Sequence, residues 1–153
     1  MTGVQTCALP IFGDEIFAVF GLPTPSPHDA VNTLKCAALM LKELEAWNAE
    51  RAQKGEQPLG IGIGLNYGPA VMGDVGSEHT LAFTVIGDTV NVASRLQSLT
   101  RELKTPLIVA DAVVKQIGGG LAPDADSLPV KLKDGGEREL RGRAGTIRIW
   151  MPA

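Results

Sequence analysis

The sequence predicts an α/β (α+β) domain, a mostly antiparallel sheet with helices packed on one face. Three observations predict it. Short apolar, strand-like runs recur around residues 11–21, 59–66, 81–86, 106–109 and 146–151. Two long stretches, from His28 to about Arg51 and from Asp88 to about Leu103, carry the 3.6-residue apolar period of helices. The resulting order, β–α–β–β–α–β–α–β, suits an antiparallel-rich sandwich.

Composition bounds what such a domain does. The 153 residues suit a single domain with a sizeable core. Fourteen basic against 17 acidic residues give a net charge of −3, which argues against a general nucleic-acid surface. Aromatic residues are 5% of the chain, too few for base-stacking platforms. The two cysteines, Cys7 and Cys36, make neither a disulfide framework nor a metal quartet, so a reducing, cytoplasmic setting is expected. No apolar run approaches the ~20 residues of a membrane span, and no membrane contact is expected from this stretch.

Residues 1–10 stand apart. They have no clear period, and Pro10 interrupts a strand-like pattern. The stretch resembles a translated sequencing adapter, and it is too short and too polar at its start for a signal peptide. Residues 1–10 are therefore expected to be a non-native segment and residues 11–153 the domain.

Ile16, Ala18 and Phe20 alternate with Phe17 and Val19, so both faces of the first strand are apolar, as in a doubly covered central strand. Gly13-Asp14 before it reads as a hairpin turn, whose carboxylate is either a turn former or a ligand for a hard cation. The three prolines of residues 22–27 make a loop. In the helix that follows, Val31, Leu34, Ala38, Leu41, Leu44 and Trp47 form the buried stripe. Cys36 and Met40 read as packing, and His28 as a loop or capping residue.

In residues 59–66, Ile61, Ile63 and Leu65 face one way and Gly60, Gly62 and Gly64 the other. A glycine row means that a helix or a ligand approaches the backbone closely. Tyr67-Gly68-Pro69 is a turn, and residues 70–73 return to pair with this strand as a hairpin. Residues 74–79 read as a projecting loop. The glycine face and this loop are the candidates for a subunit contact.

The strand at 81–86 places Thr84 on the face of Ala82 and Ile86. Asp88 is positioned to cap the next helix. Val92, Leu96, Leu99 and Leu103 form its apolar stripe, with Asn91 and Arg95, four residues apart, at its margin. Residues 111–117 read as a short helix stopped by Gly118-Gly119-Gly120. Strands follow at 130–132 and 146–151, with Asp134-Gly135-Gly136 as a turn and a basic stretch at Leu140-Arg141-Gly142-Arg143.

Three segments, in order, resemble the class III adenylate/guanylate cyclase catalytic domain. They are Gly13-Asp14 with Phe17-Ala18-Val19-Phe20-Gly21, then Gly62-Ile63-Gly64-Leu65-Asn66-Tyr67-Gly68, then Thr84-Val85-Ile86-Gly87-Asp88-Thr89-Val90-Asn91-Val92-Ala93-Ser94-Arg95. The resemblance covers nearly all of residues 11–153. It implies a ferredoxin-like palm acting as a homodimer with shared active sites. It further implies conversion of ATP to 3′,5′-cyclic AMP and pyrophosphate in intracellular signalling, with two Mg²⁺ or Mn²⁺ ions per site.

The resemblance also assigns residues. Asp14 matches a metal-binding aspartate. Asn91 matches the residue that orients the ribose, and Arg95 the one that stabilises the α-phosphate transition state. Thr84 matches a purine-contacting position and tilts the choice toward ATP over GTP. Arg143, in Arg141-Gly142-Arg143, matches a phosphate-binding lysine. Pro10 stands where adenylate cyclases carry a base-selecting lysine. The family's other metal-binding aspartate lies upstream, so the domain is expected to lack its first strand and helix here, and this stretch alone is expected to be inactive.

Two alternatives are a guanylate cyclase and a non-catalytic, cyclase-like nucleotide-binding or regulatory domain. Phe12-Gly13-Asp14-Glu15-Ile16-Phe17 also looks like the diguanylate cyclase signature, but the Asn91/Arg95 motif does not belong to that family.

Overall fold

A computed structural model describes residues 7–12, 15–77, 80–118 and 128–153. In chain order the elements are β1 (Cys7–Phe12), β2 (Glu15–Val19), α1 (Asp29–Gln53), β3 (Ile63–Leu65), β4 (Val71–Ser77), β5 (Thr80–Ile86), α2 (Asp88–Leu103), β6 (Leu107–Ala110), α3 (Asp111–Ile117), β7 (Leu132–Glu139) and β8 (Thr146–Pro152).

The core is built around β6, whose four residues are all apolar and all fully buried. Successive side chains of a strand point to opposite faces. Leu107 and Val109 pack with Ala30, Leu34 and Ala37 of α1 and with Val113 and Val114 of α3. Ile108 and Ala110 pack with Val92 and Leu96 of α2, and with Leu140 and Ile149. The α/β class with a mostly antiparallel sheet stands. The placement of every helix on one face is corrected: α1 and α3 cover one face, and α2 covers the other.

The main sheet has the order β3-β6-β8-β7, with β3 parallel to β6 and the other pairs antiparallel. Two hairpins, β1-β2 and β4-β5, complete the fold. In β1, Cys7 pairs with Val19, Ala8 with Ala18 and Leu9 with Phe17, and the register then shifts before Phe12 meets Glu15. Pro10 falls within that shift, where a strand tolerates a residue without an N–H. Because β2 pairs with β1 and not with the main sheet, it is not covered on both faces, and Ile16 is 65% exposed. Gly13 and Asp14, with the turn and metal readings attached to them, lie outside the described residues.

Helix α1 starts where the sequence predicts, with the Asp29 carboxylate accepting a hydrogen bond from the Ser26 N–H at 2.6 Å. His28 holds the N-cap position without a side-chain cap. The predicted stripe buries at Leu34 and packs at Leu41, but Trp47 is 52% exposed and lies under the Arg51 guanidinium, 5.8 Å from the ring centroid. Cys36 is half-buried.

The strand expected over residues 59–66 shortens to β3. One reason is Asn48, whose side chain bonds both the N–H and the carbonyl of Leu59 at 2.8 Å, so that backbone is satisfied by a helix and not by a sheet. The expected β3–β4 hairpin is not formed. β4 pairs instead with β5 from Val71↔Ile86 to Ser77↔Thr80, so residues 74–77 are strand and not loop. Asp134-Gly135-Gly136 is likewise no turn but an irregularity within β7, stabilised by a 2.8 Å bond from the Gly136 N–H to Asp134 Oδ1.

Helix α3 is tied to the sheet by a polar contact: Trp150 Nε1–H donates to Asp111 Oδ1 at 2.9 Å. Within the helix, Lys115 Nζ lies 2.8 Å from Asp111 Oδ2. Burial raises the Asp111 pKa, but the bonds from Lys115 and Trp150 and the attraction of Lys115 and Arg148 outweigh it. The carboxyl therefore sits below its ordinary 3.8. A lowered folded pKa stabilises the fold fully above the unfolded value and loses that contribution as pH falls through the folded value. Asp111→Asn is expected to cost about 1.5–3 kcal/mol at neutral pH, the scale of hydrogen bonds to a charged group. The deficit against wild type should shrink on acidification below 3.8. A deficit that stays constant across that range in pH-dependent melting rules this role out.

Candidate active site

Helix α2 follows β5 directly, with Gly87 at the N-cap. Val92 and Leu96 are fully buried against β6 and β8, and Leu99 and Leu103 extend the same stripe. Asn91 and Arg95 each precede a buried residue by one position, about 100° around the helix. They therefore share one flank: Asn91 is exposed and Arg95 is half-buried.

The glycine row fixes where this helix lies. A Cβ on Gly64 would strike the Ala93 carbonyl oxygen and the Gln97 backbone nitrogen, and one on Gly62 would strike Thr100 Oγ1. The close approach read from the sequence is a packed helix and not a ligand. That contact covers the face of Gly62 and Gly64 that the sequence offers for a subunit contact.

The start of α2 is tied to the loop after β3. Asn66 Nδ2 donates to the Thr89 carbonyl at 3.0 Å, and Thr89 Oγ1–H donates to the Pro69 carbonyl at 2.6 Å. Sequence reasoning missed both residues. The available signal was a polar Asn66 closing an otherwise apolar and glycine strand.

The basic stretch approaches the same helix from the far edge of the sheet. Leu140 is buried in the α2-side core, and the Arg143 N–H closes a turn on the Leu140 carbonyl at 3.0 Å. Gly142 has φ +74°, a conformation that L residues rarely adopt, and its Cβ position lies 3.6 Å from Arg95 Nη2. Arg143 Nη2 meets Asp88 Oδ2 at 3.1 Å. Asp88, Asn91 and Arg95 are spaced i, i+3 and i+7, on one helix face. The structure thus brings Asn91, Arg95 and Arg143 together along the first two turns of α2.

Asp88 does not cap the helix as expected. The N-cap position is taken by Gly87, Asp88 is the first residue inside the helix, and its carboxylate is engaged by Arg143. Thr84 lies on β5 with its backbone opposite Gly73. Asp14 lies outside the described residues, and Pro10 lies on β1, in the irregular part of its pairing.

Chemically, two guanidinium groups and a carboxamide on one surface suit a ligand with phosphate oxygens and hydroxyls. Arginine keeps its charge at any relevant pH and presents a planar fork to phosphate. Among the described residues, no group of three or more His, Cys, Asp or Glu is placed to hold a metal ion. The metal reading therefore rests on Asp14. Among the described residues, no helix is long and apolar enough to cross a membrane.

A model of the adenylate and guanylate cyclase catalytic domain matches residues 5–151. The chain is 31% identical over 138 residues to adenylate cyclase 1 of Rhizobium meliloti, covering 90% of this chain and 19% of that protein. It is 36% identical over 123 residues to an adenylate cyclase of Anabaena cylindrica, covering 76% of this chain and 22% of that protein. Among solved structures, the guanylyl cyclase Cya2 superposes with a TM-score of 0.77 at 28% identity, covering 97% of this chain and 70% of that one. The adenylyl cyclase CyaB from P. aeruginosa superposes with a TM-score of 0.80 at 22% identity, covering 97% and 71%, a likeness of fold. The architecture is the palm of these catalytic domains. The chain spans about a fifth of the length of the curated relatives it matches.

Proposed function

The chain belongs to the adenylate and guanylate cyclase catalytic-domain family, and from that premise we propose that the protein containing it is an adenylate cyclase. It converts ATP to 3′,5′-cyclic AMP and pyrophosphate for intracellular signalling, as a cytoplasmic homodimer with shared sites. The observation that carries this reading is the alignment of Asn91 and Arg95 on one flank of α2 with the Arg143 turn laid against it.

In this reaction the 3′-oxygen bonds to the α-phosphorus, the bond from that phosphorus to the β-phosphate oxygen breaks, and the 3′-hydroxyl proton is released. Negative charge on the α-phosphate oxygens peaks in the transition state. Arg95, anchored by its place beside buried Leu96, supplies a fixed positive charge there. Asn91, one turn earlier, orients the ribose through its amide, so that the attacking oxygen is held near the phosphorus. Arg143 binds the phosphates that leave as pyrophosphate. Thr84 contacts the purine. Asp14, with a second carboxylate, would hold Mg²⁺ or Mn²⁺, two per site, and the ions would supply Lewis-acid activation.

Guanylate cyclase is the second reading. It is favoured by the likeness to a guanylyl cyclase structure, while Pro10, at the position expected to carry the base-selecting lysine, favours neither base. Intact Asn91 and Arg95 weigh against a purely regulatory domain. The test is to assay the full-length protein with ATP and GTP separately. Cyclic AMP from ATP is expected in clear excess. Cyclic GMP from GTP alone selects the second reading, and no cyclic nucleotide from either substrate sinks the catalytic one.

A further inference from the structure

Asp88 is the one carboxylate in the first two turns of α2, and the proposed reaction does not use it. The N-cap of its helix is Gly87 and not Asp88, and Asp88 is 64% exposed, so it fills no space in the core. Its partner is Arg143, whose side chain is 40% exposed. The two residues come from distant parts of the chain, and they meet because the turn at residues 140–143 is pinned at one end by buried Leu140. The contact is a single 3.1 Å approach of Arg143 Nη2 to Asp88 Oδ2. An exposed, single-contact ion pair is weak and is readily exchanged for a better anion.

We propose that Asp88 is a built-in competitor for Arg143: its carboxylate occupies the guanidinium until a polyphosphate displaces it. The inference rests on the reading of Arg143 as a phosphate ligand. A carboxylate carries one negative charge and a triphosphate several, so a polyphosphate outcompetes Asp88 where a weakly charged anion does not. The pair also holds the long Arg143 side chain against the start of α2. Asp88 thus acts through Arg143 as a positioning residue that sets the threshold for phosphate binding. The advantage of removing it should fade as salt screens both the pair and the ligand.

The test is calorimetric binding of inorganic tripolyphosphate to the wild-type chain and to Asp88→Asn, Arg143→Ala and the double variant, at low and high salt. Asp88→Ser serves as a second probe, since serine also suits a helix start, and melting curves report whether each variant is folded. Asp88→Asn is expected to bind tripolyphosphate about 3–10-fold more tightly at low salt, with a much smaller gain when Arg143 is already alanine. Binding by Asp88→Asn and Asp88→Ser that equals or falls below wild type overturns the inference. So does a gain of equal size in both backgrounds, which would make Asp88 a bare repelling charge. Unaltered binding by Arg143→Ala overturns the phosphate assignment itself, a separate failure from the first two.

Discussion

Replacing Arg95 with alanine in the full-length protein is expected to lower kcat by about 10²–10³, equivalent to about 2.7–4 kcal/mol of transition-state stabilisation. The expectation follows from position as well as residue type. Arg95 is half-buried, flanked by buried Leu96, and its Nη2 reaches toward Gly142 in the turn that carries Arg143. A charge held in place before substrate arrives needs little reorganisation during reaction. The interaction strengthens as charge builds on the α-phosphate, so kcat should fall more than KM rises. Arg95→Lys should recover only part of the loss, because a single ammonium cannot reproduce the guanidinium fork. Melting curves of the variants separate this from misfolding. Unchanged turnover in a folded Arg95→Ala protein would remove the residue from the mechanism.

The largest effect on stability is expected at Gly64. An alanine methyl there would strike the Ala93 carbonyl oxygen and the Gln97 nitrogen. Both are backbone atoms in the middle of α2, so no side-chain rotation relieves the clash. The helix has to move off β3, and the buried contacts of Val92 and Leu96 go with it. Gly64→Ala should cost about 3 kcal/mol or more in urea unfolding, at the upper end of overpacking effects. Gly60 is the control, with nothing within 4 Å of its Cβ position. Gly60→Ala should fall within about 0.5 kcal/mol of wild type. Equal stabilities for the two variants would contradict the seating of α2 on the glycine row.

Features set by local sequence were legible before the structure. The span of α2, its stripe from Val92 to Leu103, the α3 segment and the Asn91/Arg95 flank all follow from a helical period that neighbouring residues determine together. Features set by distant residues were not. The β4 strand pairs with β5 and not β3, because β3 lies parallel to β6, some forty residues later in the chain. Asp88 has the residue type of a helix cap, and only the arrival of Arg143 redirects its carboxylate. The two-sided helix arrangement is encoded in the unbroken apolar run Leu107–Ala110, but so short a run does not say what lies on each face. In the site, the α2 motif was readable from spacing. The proximity of the 140–143 turn was readable only by resemblance, and Asp14 lies outside the described residues.

β6 carries a consequence for cooperativity. Its edges are paired to β3 and β8, and its faces support two separate apolar clusters, one under α1 and α3 and one under α2. Neither cluster can open without exposing a residue of this strand to water. The helix bearing Asn91 and Arg95 and the helices on the opposite face therefore share one unfolding event, with a four-residue strand as their common wall. A void made beneath α1 weakens the hold on α2 as well, so the precision of the site depends on packing at the other side of the sheet.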